Sequence, residues 1–463
     1  MFFFQKNLKK LPFFTIFRVL WLFTFVCIAV PTMVAQNNLP PLVAGPMLGY
    51  TEHREALIWL EVSPSVKTVE VQYWKKGQTQ TRQKLRYRGK LQQEFNPIKF
   101  VLTALDMGTT YEYAIFVDKK RQKANQNLSF QTKKLWEWRE PAPNFSFLMG
   151  SCHYTNDEPY DRPGKPYGED SSIFGQMVQQ PSDFMLWLGD NVYLREADYS
   201  SRYGIQYRYQ HTRRQEVLQN FLASRPQYMI WDDHDYGPND SNSSYELKEQ
   251  ALQTFIDYSG NESYGTPNDK GIYSRFQWSD SEFFLLDNRY HRDPETLQDS
   301  NKTYLGKKQL AWLKNSLLSS KATFKFIASG SQVLNKANKF ECYANYTQEL
   351  DELLAFIERH QIKGVVFLSG DRHFSEIITQ QRNNAYTLLD ITSSPITSHT
   401  FDKVAESNEG KNPQRMDGTL LAENSYMKLS VSGEKGKRVL TVQAFDRNNQ
   451  EKWRKSFAET EFR

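Results

Sequence analysis

Short apolar runs that stop abruptly at polar residues constrain this chain more than any other feature. Phe145–Met149, Phe184–Leu188, Tyr228–Trp231, Phe283–Leu286, Phe324–Ala328, Val365–Leu368 and Tyr386–Leu389 are nearly continuous apolar stretches. A strand with one face in water alternates, whereas a strand covered on both faces has no reason to. Between the runs, Gly306–Leu318 puts Leu310, Leu313 and Leu317 on one helical face. Gln348–Gln361 does the same with Leu350, Leu353, Leu354 and Ile357, with Gly364 placed to end the helix. Strands of this kind mixed with amphipathic helices predict a layered α/β domain over residues 145–463.

Upstream the pattern is different. Ala56–Val62, Thr68–Trp74, Ile98–Thr103, Thr110–Val117 and Leu128–Thr132 alternate apolar and polar residues and are separated by polar turns. They predict a small β-sandwich over residues 40–133. Leu105, Gly108, Thr109 and Tyr111 form a pattern similar to the tyrosine corner of fibronectin type III-like sandwiches. Residues 134–144, with two prolines and many charges, read as a linker.

Residues 1–35 read as a secretory signal: a basic stretch from Lys6 to Arg18, the apolar run Val19–Val30, then Pro31 and Ala35. The run is shorter than the ~20 residues a membrane span needs. A secreted or periplasmic protein is therefore expected, tethered to a membrane only where the signal stays uncleaved. The formal charge of +5 includes Lys6, Lys9, Lys10 and Arg18, so without them it is 5 − 4 = +1. That near-neutral balance gives no case for a stable nucleic-acid partner. Cys27 leaves with the signal, and Cys152 and Cys342 remain. In an oxidising compartment these two could pair.

The chemistry lies where the runs end. Met149 is followed by Gly150-Ser151-Cys152-His153, and Leu188 by Gly189-Asp190-Asn191-Val192-Tyr193. Trp231 is followed by Asp232-Asp233-His234-Asp235, and Leu368 by Ser369-Gly370-Asp371-Arg372-His373. Strand C-termini in layered α/β folds open onto one edge. Four such ends would bring carboxylates, imidazoles, a thiol and a phenol together, a set suited to metal ions, with thiolate and phenolate favouring a redox-type metal such as iron. One Asp between two ions can bridge them, and two ions can clamp a phosphate. No nucleophile elbow and no phosphate-cradling glycine loop is present.

On these motifs, with LLDNRYHR at 285–292, the stretch from Phe147 to about Thr397 resembles the PhoD-like alkaline phosphatase/phosphodiesterase family. The resemblance implies a metallophosphatase-type layered α/β sandwich behind a fibronectin type III-like N-terminal domain. It also implies metal-dependent hydrolysis of small-molecule phosphate esters by a metal-activated hydroxide, with an alkaline optimum, in a monomeric protein. The cofactors implied are Fe3+ and Ca2+. Cys152, Asp190, Tyr193 and Asp371 match the iron set. Asp190 would bridge to calcium, with Asp233, His373 and Asn239 as further ligands. Asp190, His373 and Arg289 are the catalytic candidates. Arg289 and Arg292 could hold phosphate bidentately or form ordinary surface ion pairs, and His153 and His234 are left unassigned.

Two other readings stay open: a phospholipase D-like phosphodiesterase on the same scaffold, and a non-catalytic, calcium-stabilised cell-surface binding protein. Calcium gains little from a thiolate or phenolate, so Cys152 and Tyr193 weigh against the second. A disulfide between Cys152 and Cys342 competes with the iron assignment. The denatured, metal-free protein is expected to titrate two free thiols under non-reducing conditions if Cys152 is a ligand; none would mean a disulfide.

Overall fold

The computed structural model describes residues 39–463, apart from 125–126, 338–339, 383–384 and 402. The expected leader lies outside the described residues. The first eight strands are β1 (Leu42–Thr51), β2 (Ala56–Val62), β3 (Val69–Lys75), β4 (Gln83–Arg86), β5 (Pro97–Leu102), β6 (Thr110–Val117), β7 (Lys120–Arg121) and β8 (Ser129–Gln131). They form two antiparallel sheets, ordered β1-β2-β5 and β4-β3-β6-β7, with β8 also on β6. Alternating residues such as Ile58, Leu60, Val71, Phe100, Tyr113 and Ile115 fill the space between them, as a sandwich requires. The Tyr111 hydroxyl accepts a hydrogen bond from the Asp106 backbone N–H at 2.9 Å and closes the corner before β6.

Two six-stranded sheets follow. The first is ordered β11 (Gln227–Ile230), β10 (Phe184–Leu188), β9 (Phe145–Gly150), β18 (Ser425–Ser432), β19 (Val439–Asp446) and β20 (Glu451–Ala458). The second is β12 (Ser274–Trp278), β13 (Ser281–Leu285), β14 (Phe324–Ala328), β15 (Val365–Ser369), β17 (Ala385–Thr392) and β16 (Glu376–Arg382). β9, β10 and β11 are mutually parallel, and so are β13, β14, β15 and β17. The sheets meet face to face through phenylalanines. Phe147 lies edge-on to Phe283 at 5.2 Å and to Phe326 at 5.5 Å, and Phe184 meets Phe283 at 5.3 Å.

The other face of each sheet is covered by helices, which is why the runs do not alternate. In β10, Phe184 faces the opposite sheet. Trp187 turns outward onto Phe174 of α1 (Ile173–Gln179) and Phe221 of α3 (Glu216–Ser224). Leu310, Leu313 and Leu317 of α6 (Lys307–Ser319) pack on the outer side of the second sheet. They share a cluster there with Leu350, Leu353 and Ile357 of α7 (Thr347–Arg359). α7 ends sooner than Gly364 suggested. Gln361 takes the left-handed position (φ 49), its N–H bonds Glu358 O and the Ile362 N–H bonds Ile357 O. That is a Schellman motif built without glycine; Gly364 instead starts the chain into β15. Strands β18–β20 had no counterpart among the expected elements.

The sandwich packs on α2 (Arg202–Arg213) and α5 (Lys248–Tyr258), and Leu39–Arg463 forms one compact unit. Trp59 Nε1 donates to Asp257 O at 2.8 Å. Buried Glu61 of β2 accepts from Gln210 Nε2 at 2.7 Å and Tyr258 Oη at 2.8 Å, both at its Oε1. Burial pushes the Glu61 carboxyl up to about 7 from its ordinary 4.5. A folded-state acid raised in this way binds its proton more tightly than the unfolded chain does. Folding then loses stability as pH rises from about 4.5 to about 7. Glu61→Gln should be more stable than the parent by an increment near zero at pH 4.5 that grows to about 3 kcal/mol above pH 7. Urea midpoints at pH 4.5 and 8 check this, and a pH-independent increment would contradict it.

Candidate functional site

Four of the parallel strands end at one place. β9 leads to Cys152, β10 to Asp190, β11 to Asp232 and Asp233, and β15 to Asp371 and His373. The first three belong to one sheet and the fourth to the other. Cys152, Asp190, Asp371 and His373 all have left-handed backbones, with φ of 60, 51, 70 and 56. Non-glycine residues avoid this region, and clusters of such strain mark functional sites. Two glycines let the ends close up. A Cβ on Gly189 would sit 2.7 Å from Asp232 Cβ, and one on Gly370 would sit 2.6 Å from Leu188 O.

Asp190 is the meeting point. Its Oδ1 accepts the His234 N–H at 3.3 Å, and its Oδ2 is 3.5 Å from Cys152 Sγ. Asp190, Asp233 and His234 each offer a donor atom within 4.8 Å of the others. Ser394 Oγ donates to Cys152 Sγ at 3.2 Å. Tyr193 Oη and His373 Nε2 are 3.2 Å apart, and the Tyr193 ring lies 4.3 Å from the His234 ring. All of these residues are buried except Asp371 and His373, which are half-buried.

Burial first, then the neighbouring carboxylates Asp233, Asp232, Asp235 and Asp371, pushes the Asp190 carboxyl well up. Burial and the charges of Asp190 and Asp371 push the Cys152 thiol well up. Burial, then the charge of His234, brings His373 down to about 3. Asp371 Oδ2 and His234 Nδ1 are buried with no hydrogen-bond partner among the described residues, the former 3.7 Å from Arg372 Nη1. Buried acids that repel one another, beside unpaired donor atoms, fit a bound cation, which would reverse the rises at Asp190 and Cys152 and keep His373 neutral.

The Asp-Asp-His-Asp segment divides its labour. Asp235 Oδ1 accepts from Asn191 N at 2.9 Å and Asn191 Nδ2 at 3.0 Å, and its Oδ2 accepts from Asp232 N at 2.9 Å. It closes a capping box on the one-turn α4 (Asp233–Tyr236) and ties GDNVY to that turn. Asp232 takes Arg289 Nε at 2.5 Å and Asn288 Nδ2 at 2.7 Å. Asp233 and His234 face Asp190. Asn239 is exposed and makes no hydrogen bond to the cluster among the described residues.

Arg289 and Arg292 are 0% and 1% exposed, so neither forms a surface ion pair. Arg289 grips Glu341 with two parallel hydrogen bonds of 2.7 and 2.6 Å; Arg292 reaches the same carboxylate at 3.0 Å. Glu341 and Asp240, close to Asp233, were not found from sequence. They sit in irregular segments whose only signal is charge. His153 bonds Thr397 Oγ1 at 2.8 Å, outside the cluster. Cys152 and Cys342 are both free, and Cys342 Sγ lies 3.2 Å from the carbonyls of Gln332 and Asn335.

Fold and site together define an α/β-sandwich protein with an acid-rich, cation-suited cluster at the carboxyl edge of both sheets. The chain belongs to the PhoD-like phosphatase family, whose model matches residues 164–450. Cys152 lies just before that span. Residues 39–135 match a domain of unknown function, DUF7800. Alkaline phosphatase D of Bacillus subtilis (strain 168) is 24% identical over 340 residues, 62% of this chain and 55% of that protein. Among solved structures, that of PhoD superposes with a TM-score of 0.72 at 16% identity, covering 89% of this chain and 92% of the other. Purple acid phosphatase PPD1 from yellow lupin (Lupinus luteus) seeds gives 0.59 at 10% identity, covering 89% and 74%. At these identities the two structures show a shared fold. Among the described residues no helix is long and apolar enough to cross a membrane.

Asp235→Ala would leave the amides of Asn191 and Asp232 and the Asn191 side chain short of an acceptor in a buried place. At about 1–3 kcal/mol for each unsatisfied group, the variant should lose at least about 3 kcal/mol in equilibrium unfolding. A loss below about 1 kcal/mol would show that Asp235 does not hold the two segments together.

Proposed function

We propose that this protein is a phosphoric ester hydrolase working at a metal centre built on Asp190. The convergence of Cys152, Asp190, Asp233, Asp371 and His373 from four strand ends onto one buried, acid-rich edge carries the reading, and family membership supports it. Bound metals would supply Lewis acidity towards the phosphoryl oxygens and would activate water at neutral to alkaline pH.

In this proposal Cys152, Asp190, Tyr193 and Asp371 hold Fe3+, while Asp190 and Asp233 hold Ca2+ or another divalent ion. His234, beside Asp190 and Asp233, joins them, and exposed Asn239 is left out. His373 is better grouped with Tyr193, whose Oη lies 3.2 Å from its Nε2, and would join the same ligand set. Arg289 acts as a positioning residue, since Asp232, Ser241 O and Glu341 already take its donors. It fixes Asp232 and so the turn that presents Asp233. Left-handed Asp190 brings its carboxylate close to Cys152 on one side and to Asp233 and His234 on the other, so it would belong to both ligand sets.

The substrates are small phosphate mono- or diesters. The organisation proposed is an exported protein with a fibronectin type III-like domain over 40–133, a linker over 134–144 and the catalytic domain over 145–463. The first strand of that domain, β9, begins directly after the linker.

Asp190→Ala, assayed on 4-nitrophenyl phosphate and its bis-ester, should lose at least about 100-fold in turnover, the scale of removing one principal electrostatic stabiliser. Elemental analysis should show metal lost in parallel. The wild type should absorb visible light through ferric tyrosinate, and a colourless iron-free protein with unchanged turnover in the variant would refute the centre.

A further inference from the structure

Three tyrosines wall the approach to the cluster, and only one has an idle hydroxyl. Tyr154, Tyr167 and Tyr193 pack together, with ring centroids 5.0 Å (Tyr154–Tyr167), 5.0 Å (Tyr154–Tyr193) and 5.8 Å (Tyr167–Tyr193) apart. The Arg195 guanidinium lies over all three rings, at 4.8, 4.8 and 5.2 Å. Tyr154 Oη donates to Asp161 at 2.6 Å and accepts from Arg195 Nε. Tyr193 Oη meets His373. Tyr167 Oη makes no hydrogen bond among the described residues, and the residue is half-buried.

The placement of Tyr167 is built rather than loose. Its neighbour Gly168 bridges to Ser398, and Asn156 holds the Gly168 backbone at both ends with two 2.9 Å hydrogen bonds. The Glu169 N–H bonds Thr397 O at 2.6 Å. The Tyr167 ring also lies 6.0 Å from His373 and 6.1 Å from His399. The charges nearest its phenol include those of Cys152, Asp190 and Asp233. A half-buried side chain beside a hydrogen-bonded backbone, its hydroxyl unpaired among the described residues, thus stands next to the acid cluster.

We infer that Tyr167 is a substrate-contacting residue whose phenol O–H donates a hydrogen bond to a non-bridging oxygen of the phosphoryl group. Arg195 beneath the rings supports this, since a cation on the ring faces holds them in place and favours an anion beyond. The donor needs no rearrangement to act, which is what makes such groups effective where charge develops. The inference rests on the phosphate-ester reading of the site.

The test is Tyr167→Phe in the full-length, metal-loaded protein. Removing a hydroxyl that bonds nothing among the described residues should leave the melting temperature and metal content unchanged. kcat/KM on 4-nitrophenyl phosphate and its bis-ester should fall about 10- to 100-fold, the worth of one hydrogen bond to a charged group. Protection against thermal unfolding by inorganic phosphate should need about 10-fold more phosphate. Unchanged kcat/KM together with unchanged phosphate protection overturns the inference. So does a loss of activity matched by a loss of metal, because the ring would then be merely structural. A wild type inactive on both esters sinks the ester reading instead, and the phosphate arm still decides whether Tyr167 contacts the anion.

Discussion

The packing of Phe147 and Phe184 against Phe283 and Phe326 is the contact on which the rest of the molecule depends. Aromatic rings meeting edge-on at 5.2–5.5 Å are directional as well as apolar. They fix the two sheets in register and not only in contact. Within a sheet, hydrogen bonds already set where each strand stops. Locking the faces therefore sets the position of Asp371 and His373, at the end of one sheet, relative to Cys152, Asp190 and Asp233, at the end of the other. A slip of one sheet against the other would leave two half-sites.

Bringing those ends together crowds acids in a buried place, and the protein compensates them unequally. Asp232 and Glu341 are matched by Arg289 and Arg292. Asp235 is matched by backbone amides. Asp190, Cys152 and Asp371 keep only weak or distant partners, and burial among like charges pushes the proton affinities of all three well up. The left-handed backbones of the same three residues add strain that the surrounding packing must hold. Uncompensated charge and strain thus fall on the same residues, the pattern the proposed centre requires.

Much of this was legible beforehand. Covered strands have to be apolar on both faces, so Phe184–Leu188 and Val365–Leu368 identified themselves, and the polar residues after them marked the edge. The roles inside Asp232-Asp233-His234-Asp235 were not legible. Four adjacent polar residues look alike until the one-turn helix rotates Asp233 and His234 towards Asp190 and Asp235 towards Asn191. Arg289 and Arg292 looked like a phosphate clamp or a surface pair because nothing local announces Glu341, about 50 residues on. Gln361 took the helix-ending position expected of Gly364. Tyr167 lies in an irregular segment whose placement depends on a bridge to Ser398, far away in sequence.

The sequence by itself determined the covered strands and amphipathic helices of a layered α/β domain, the alternating strands of the sandwich before it and the edge at which the chemistry sits. Those follow from local periodicity, which reports what each face of an element must touch. The tertiary structure alone decided which polar residues share a space, which carboxylates are neutralised, and which hydroxyl is left unpaired. Those depend on distances of 3–4 Å between residues tens to hundreds of positions apart, and no local pattern encodes them.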